Sequence, residues 1–336
     1  MAPVVKRAGP GLGSPPPYLC CVKVWRGIKE WIFYGHVWIS LAAAGLGWMS
    51  LALFSPVDVV IFDAVQEDVL SFLFTATFGV YTLHRLISFR KAGVIPKTTR
   101  YALVARAPLR ALIIGVVSLA SAVFIIWPYL PGIWVPLGIA LPLTAFYLVP
   151  PLPGWRRLRD VPYLKVVWVA IAWTAMTHVV PIMLVQGHFI GACGGLFAEV
   201  DRFGLAVTET CTRFMFILTV ALLFDGRDVT LDLNNQVRTV ANSHPRLLRT
   251  LCPALLLSCA ILTYLVCNAQ PHGGGWRDLY AISIASTYLA GLPVARASYD
   301  NRNEDWYAIV VNGLLLLPPL TCFAWFYFGA GPFPRY

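Results

Sequence analysis

The segment AVTETCTRFMFILTVALLFDGRDVTLD, residues 206–232, joins an apolar run to a cluster of aspartates. The run up to Phe224 is long enough for an α-helix to cross the hydrocarbon core of a bilayer, which needs about 20 residues. Asp225, Asp228 and Asp232 follow it directly. The segment therefore predicts a membrane-spanning helix that ends in three carboxylates.

Apolar runs of this kind recur along the chain. Of its 336 residues, 58% are hydrophobic and only 12% are charged, whereas ordinary soluble domains carry about 25% charged residues. Lipid must therefore replace water over much of the surface, and helices are the open spanning element that satisfies its own backbone hydrogen bonds there. We predict an all-α polytopic membrane protein with about nine transmembrane helices. The expected spans are residues 34–54, 69–89, 109–127, 134–149, 163–185, 206–224, 247–268, 279–295 and 306–328.

The basic residues predict the orientation of these helices. Most of the 26 Lys and Arg residues fall between the spans on one side, and Arg202, Arg277 and Arg335 fall on the other. The side rich in Lys and Arg is normally cytoplasmic, which places the N-terminus inside and the C-terminus on the opposite side. Because the net charge of +10 is split into short clusters between apolar runs, we expect membrane lipids and anionic substrates as partners, and no nucleic acid.

The N-terminal segment differs from the rest of the chain. Residues 1–29 begin with a stretch rich in Gly and Pro, without an apolar core followed by a small-residue cleavage site. We expect a disordered cytoplasmic tail rather than a signal peptide. Residues 30–336 are expected to form a single transmembrane domain.

The aspartate cluster is the strongest candidate site. Asp225, Asp228 and Asp232 have the spacing i, i+3, i+7, which places them on one face if the helix continues past Phe224. Carboxylates aligned in this way repel one another unless a cation lies between them. Oxygen ligands suit Mg²⁺, which commonly bridges to substrate phosphates. The alternative is a solvated helix end with ordinary surface charge.

Two further segments fall on the same side of the membrane. His84 and Arg85 end the apolar run of the second span, where polar side chains are costly unless they face a polar cavity. The stretch from Tyr147 to Lys165 contains Arg156, Arg157 and Arg159, and guanidinium groups bind phosphate oxygens in a bidentate manner. The alternatives are a snorkelling arginine in the first segment and plain positive-inside charge in the second.

Together these features resemble the UbiA superfamily of membrane prenyltransferases. The motif DGRDVTLD at 225–232, followed by RT at 238–239, looks like the second aspartate-rich motif of the family and its trailing Lys/Arg-Thr. The segments YLVPP at 147–151 and LRDVP at 158–162 look like the stretch in which basic residues of the family meet the diphosphate. The resemblance covers roughly residues 30–328 and is closest to bacterial UbiA-like proteins with a degenerate first motif.

The resemblance implies a helical bundle with a central cavity open to the cytoplasmic side. It implies Mg²⁺-dependent transfer of a prenyl group from an isoprenoid diphosphate to a lipophilic acceptor. By the same resemblance, Asp225, Asp228 and Asp232 would be catalytic and would hold Mg²⁺. The diphosphate would be bound by Arg85, Arg159, Arg238, His84 and Tyr147.

The chain departs from the family pattern at the end of the second span. The first motif of the family has Asn and Asp residues there, whereas this chain reads YTLHR at 81–85 and has no Asp or Glu between residues 69 and 158. Either His84 and Arg85 contact the diphosphate directly, or the first site is lost. The second case would make the protein a non-catalytic isoprenoid-binding, lipid-binding or scaffold relative.

Overall fold

The structure is a computed structural model that describes residues 27–54, 64–91, 99–184, 200–268, 275–299 and 302–328. The regular elements in these ranges are all helices, which confirms the predicted all-α class. Short 3₁₀ turns at Trp127–Tyr129 and Leu158–Asp160 supplement the longer helices. In chain order the helices are α1 (Gly27–Tyr34), α2 (Val37–Phe54), α3 (Ala64–Lys91), α4 (Thr99–Arg106), α5 (Pro108–Ile126), α6 (Leu130–Leu148), α7 (Lys165–Leu184), α8 (Val200–Arg227), α9 (Val229–Asn234), α10 (Val240–Ser243), α11 (Pro245–Asn268), α12 (Gly275–Leu289), α13 (Gly291–Ser298), α14 (Trp306–Leu314) and α15 (Leu317–Phe328).

Several of these helices are long and apolar enough to cross a membrane. Within the described ranges there are five such helices, or up to seven if the bent pairs α1–α2 and α14–α15 each count as one span. One of the five is a continuous helical run of 41 residues, Pro108–Leu148, about twice the length that a bilayer requires. It contains both α5 and α6, which correspond to two of the expected spans. The multi-pass membrane class is therefore supported, and the count of nine stays a prediction.

Residues 1–26 of the predicted N-terminal tail lie outside the described residues. Residues 27–29 are described, and they form the first turn of α1. Lys29 pairs with Asp305, and Tyr34 at the end of α1 donates a hydrogen bond to the same carboxylate. Burial raises the pKa of Asp305, but the hydrogen bonds from Lys29 and Tyr34 outweigh it and hold the pKa below its usual range. These contacts join the start of the described chain to the segment before α14.

Two apolar clusters form the interior. The larger joins α2, α7, α8, α11, α12 and α14, with Leu46, Phe216 and Tyr288 fully buried in it. The smaller joins α2, α3, α5, α6 and α7 around Leu73 and Ile133. On the outward faces of α5 and α6, large apolar side chains such as Phe124 are exposed instead. Exposing such an apolar surface to water would be unfavourable, whereas contact with lipid stabilises it.

Small residues allow α3 and α5 to pack closely. A Cβ atom built on Gly79 would lie 2.8 Å from Cγ of Leu119, and one built on Gly115 would lie 2.7 Å from Cδ2 of Leu83. Membrane helices without a hydrophobic driving force between them rely on such close contact of small residues. This contact fixes the position of α3, and therefore of His84 and Arg85 near its end.

A buried arginine joins α8 to α2. Arg213 is 1% exposed, and its Nη1 donates a hydrogen bond of 2.9 Å to the carbonyl of Leu46. Its Nη2 lies 3.4 Å from Oγ of Ser50, and the buried Glu209 one turn earlier acts on it electrostatically. A buried charge requires such partners, so these contacts hold α8 in one register against α2.

We expect Gly115→Val to destabilise the protein, because the added side chain overlaps Leu83 and overpacking typically costs about 1–3 kcal/mol. Gly138→Val is the matched control, since nothing lies within 4 Å of a Cβ atom built there. Thermal unfolding in detergent should show a lower Tm for Gly115→Val and a Tm close to that of the wild type for Gly138→Val. Equal Tm values for the two variants would contradict the close packing of α3 on α5.

Candidate functional site

Five helices and one turn contribute polar side chains to the same end of the bundle. We call this the aspartate end, because α8 ends there at Arg227 and α9 begins there at Val229. The C-terminal half of α3 supplies His84 and Arg85, the C-terminus of α6 supplies Tyr147, and the start of α7 supplies Lys165. The 3₁₀ turn Leu158–Asp160 supplies Arg159.

The centre of the aspartate end is an ammonium group held between two carboxylates. Nζ of Lys165 lies 3.0 Å from Oδ1 of Asp225 and 2.8 Å from Oδ2 of Asp232. All three residues are buried, with Asp225 and Asp232 only 2% and 1% exposed. The triad therefore connects α7, α8 and α9 through charge-assisted hydrogen bonds.

The third aspartate has a different partner. Nε and Nη2 of Arg227 donate hydrogen bonds of 2.7 and 2.9 Å to the two carboxylate oxygens of Asp228. The same guanidinium lies over the rings of Phe224 and Tyr307, 4.8 and 5.7 Å from their centroids. The helix breaks at Asp228, which precedes α9 with φ −89° and ψ 8°. Asp225 and Asp232 thus meet at Lys165, while Asp228 pairs with Arg227 and stays within electrostatic range of Asp232.

These contacts do not fit a magnesium site built from the three carboxylates. Each carboxylate already faces a cation of the protein. Within the described ranges, no group of three or more His, Cys, Asp or Glu side chains is arranged to hold a metal ion. Burial raises the pKa of Asp232 above its usual value, and the ammonium of Lys165 acts in the opposite direction.

Tyr147 connects the aspartates to the end of the second predicted span. The ring of His84 packs edge-on against that of Tyr147, with 6.1 Å between the centroids. The Tyr147 hydroxyl is within electrostatic range of Lys165, Arg159, Asp228 and Asp225. His84 in turn is within electrostatic range of Arg85 and Arg159. The structure therefore brings together most of the residues that the sequence analysis selected from three separate segments.

The His84 imidazole has a buried nitrogen with unmet hydrogen-bonding capacity. Its Nε2 has no hydrogen-bond partner among the residues that the structure describes. Leaving a buried polar atom unpaired costs free energy, and such atoms call for a ligand or a functional explanation. This nitrogen and the nearby Arg159 form the part of the site that could receive an anion.

Other predicted basic residues lie apart from this cluster. The side chain of Arg238 is exposed, and its backbone carbonyl accepts a hydrogen bond of 3.0 Å from the amide of Tyr163. Arg157 pairs with Asp160 through hydrogen bonds of 2.6 and 3.1 Å. Arg159 is the basic residue of this loop that reaches His84 and Tyr147 electrostatically.

Sequence reasoning missed two residues of the site. Lys165 enters the sequence analysis only as the end of the basic stretch, and no local pattern connects it to an aspartate 60 positions away. His36 lies between α1 and α2, is buried, and its Nδ1 is 3.3 Å from Oγ1 of Thr82. It is within electrostatic range of Arg85 and His84, and its φ of 70° is uncommon for a residue other than glycine. No sequence pattern signals that backbone conformation.

The comparison with solved structures identifies the fold. The chain matches the structure of a UbiA homolog from Archaeoglobus fulgidus bound to GPP and Mg²⁺, with a TM-score of 0.61 and 13% sequence identity. It also matches the structure of a UbiA homolog from the same organism bound to DMAPP and Mg²⁺, with a TM-score of 0.59 and 14% identity. Each match covers 88% of this chain and 98% of the other. A scan against protein-family models and a search of curated proteins find no match.

The protein therefore has a UbiA-like fold, which confirms the fold that the sequence resemblance implied. Because the match extends over nearly the whole length of those structures, the likeness concerns the complete helical bundle. At this level of identity it establishes the fold, and the roles of individual residues rest on the geometry described above.

We expect Lys165→Met to destabilise the protein strongly, by about 3–5 kcal/mol, because it leaves two buried carboxylates without their cation. Arg157→Met is the control, since its half-exposed pair with Asp160 should contribute about 1 kcal/mol or less. Removing Lys165 should also raise the pKa of Asp232 further. The destabilisation by Lys165→Met should therefore become smaller as the pH falls through that raised pKa, because a protonated Asp232 carboxyl no longer needs a cation.

Unfolding in detergent, followed at a series of pH values, measures both effects. A cost for Lys165→Met that equals the cost for Arg157→Met, or that does not change with pH, would contradict the buried triad.

Proposed function

We propose that this protein is a UbiA-like prenyltransferase that binds an isoprenoid diphosphate at the aspartate end and transfers its prenyl group to a lipophilic acceptor. The observation that carries the proposal is the cluster of Arg85, Arg159 and Lys165 around His84 and Tyr147. Two UbiA homolog structures with this fold contain GPP and DMAPP, respectively. One buried and two half-buried cations form the kind of cluster that a diphosphate requires.

In the proposed reaction, the bond between the first carbon of the prenyl group and the diphosphate oxygen breaks. The diphosphate leaves with the electron pair, and a nucleophilic atom of the acceptor bonds to the carbon and loses a proton. Arg85, Arg159 and Lys165 stabilise the negative charge that builds up on the leaving group. The apolar interior of the bundle holds the isoprenoid tail.

Mg²⁺ is not part of the proposed reaction. Mg²⁺ accompanies GPP and DMAPP in the two homologous structures, and its binding by Asp225, Asp228 and Asp232 in this chain stays a prediction. Because these carboxylates are paired with Lys165 and Arg227, no step is assigned to the metal.

The proposal includes the orientation of the protein in the membrane. With about nine spans and a cytoplasmic N-terminus, the aspartate end lies on the cytoplasmic side and opens into a central cavity. The basic residues outside the cluster then contact anionic lipid headgroups.

An epitope tag at the N-terminus should be protected from external protease in intact cells, whereas a tag at the C-terminus should be cleaved.

One observation favours a second candidate, a non-catalytic isoprenoid-binding protein with the same fold. Helix α3 carries no Asp or Glu after Asp68, so the first acidic motif of the family is replaced by His84 and Arg85. Such a protein would bind the diphosphate and keep its bond to the prenyl group intact.

Incubation of the purified protein with DMAPP, GPP and longer prenyl diphosphates, with and without a lipid extract as the source of acceptor, separates the two candidates. We expect release of diphosphate by the wild type. Arg159→Met should lower the rate about ten- to a hundredfold, since a hydrogen bond to a charged group contributes about 1.5–3 kcal/mol. Arg246→Met, an exposed arginine at the same end of the bundle, is the control and should retain the rate.

Binding without release would favour the non-catalytic candidate. Absence of both binding and release would contradict both candidates. A loss of rate in Arg238→Met as large as that in Arg159→Met would restore the role that the sequence motif predicted for Arg238.

A further inference from the structure

The pairing of Lys165 changes the charge that the aspartate end offers to a metal ion. Three ionised carboxylates alone would present a charge of −3. Lys165 lies between Asp225 and Asp232, and Arg227 pairs with Asp228. With these two cations counted, the cluster carries −1, which greatly reduces its attraction for a divalent ion. A metal ion that bound there would also have to displace a buried ammonium group.

The ammonium group suits the position for geometric reasons. It is a compact point charge with three N–H donors. Two of them are accounted for by the hydrogen bonds to Asp225 and Asp232, at 3.0 and 2.8 Å, and one is left for an anionic ligand. The Tyr147 hydroxyl lies within electrostatic range of the same ammonium group, and the Tyr147 ring packs against that of His84.

A second observation points to a ligand beside this group. Nε2 of His84 is buried without a hydrogen-bond partner among the described residues, and Arg159 and Arg85 lie within electrostatic range of the ring. One unpartnered imidazole nitrogen and three cations form a site for a multiply charged anion. In this arrangement the side chains of the protein supply the positive charge that Mg²⁺ would otherwise supply.

We propose that Lys165 is a built-in substitute for a divalent cation, and that the aspartate end binds a prenyl diphosphate through Lys165, Arg85, Arg159 and His84 without Mg²⁺. The identity of the ligand rests on the proposed function. The replacement of the metal by Lys165 does not depend on that function, because it follows from the ion pairs that Lys165 forms with Asp225 and Asp232.

Binding of Mn²⁺, a spectroscopic stand-in for Mg²⁺, tests the metal half of the proposal directly. Electron paramagnetic resonance of the free ion should show no saturable site on the wild-type protein. In Lys165→Met the freed carboxylates should bind Mn²⁺ at least tenfold more tightly, and the ion should raise the Tm of that variant. The triple variant Lys165→Met/Asp225→Asn/Asp232→Asn should lose both effects.

Matched variants separate this result from a general loss of charge. Lys29→Met removes another lysine that pairs with a single carboxylate, that of Asp305, and should gain no Mn²⁺ site. Lys165→Gln serves if Lys165→Met does not fold, because its amide can still donate to one carboxylate. A saturable Mn²⁺ site on the wild type that Asp225→Asn/Asp232→Asn abolishes would overturn the proposal, as would a folded Lys165 variant that gains no site.

Binding of geranyl diphosphate to the wild type, measured calorimetrically in EDTA and in excess Mg²⁺, tests the ligand half. We expect Kd values within about twofold of each other, and a loss of affinity of at least tenfold in Lys165→Gln under both conditions. A loss of wild-type affinity of tenfold or more in EDTA would overturn metal-independent binding. Absence of binding under both conditions would overturn the ligand half and count against the proposed function, while the Mn²⁺ experiment would still decide whether Lys165 replaces the metal.

Discussion

The arrangement of the aspartate end depends on one buried ion-pair triad. Asp225 and Asp232 lie in a region where an isolated carboxylate would be very costly, and the ammonium of Lys165 compensates both. Since the three residues belong to α7, α8 and α9, the pairs also determine how these helices meet. The geometry of the triad therefore determines the chemistry that the remaining side chains present.

The second half of the site depends on packing rather than on charge pairing. The close contact of Gly79 and Gly115 lets α3 approach α5, and the ring contact between His84 and Tyr147 joins α3 to α6. Arg85 and Arg159 are thereby held within electrostatic range of His84, and Arg159 also within range of Tyr147. The part of the site that contains Arg85 and Arg159 is cationic. The charge of the aspartates is largely neutralised within the protein, and this balance is suited to an anionic ligand.

Much of the site could be predicted because its residues lie in short local patterns. The aspartate motif and His84–Arg85 stand out against apolar runs, and the basic loop after Tyr147 lies on the same side by the rule for positive charge. The sequence did not indicate that Asp225 and Asp232 would meet Lys165, or that Asp228 would pair with Arg227. Arg238 matches a motif in sequence, yet its side chain is exposed.

The sequence by itself determined the helical membrane class and the UbiA-like fold, since apolar periodicity, charge asymmetry and motif order are properties of the chain. Only the tertiary structure decided which cation each carboxylate meets. Lys165 and Asp225 are 60 positions apart, and no local pattern indicates that the first turn of one helix will meet the last turn of another. Ion pairing in a buried site is a property of packing, and it is the reason that an apparent metal motif is arranged here around a lysine.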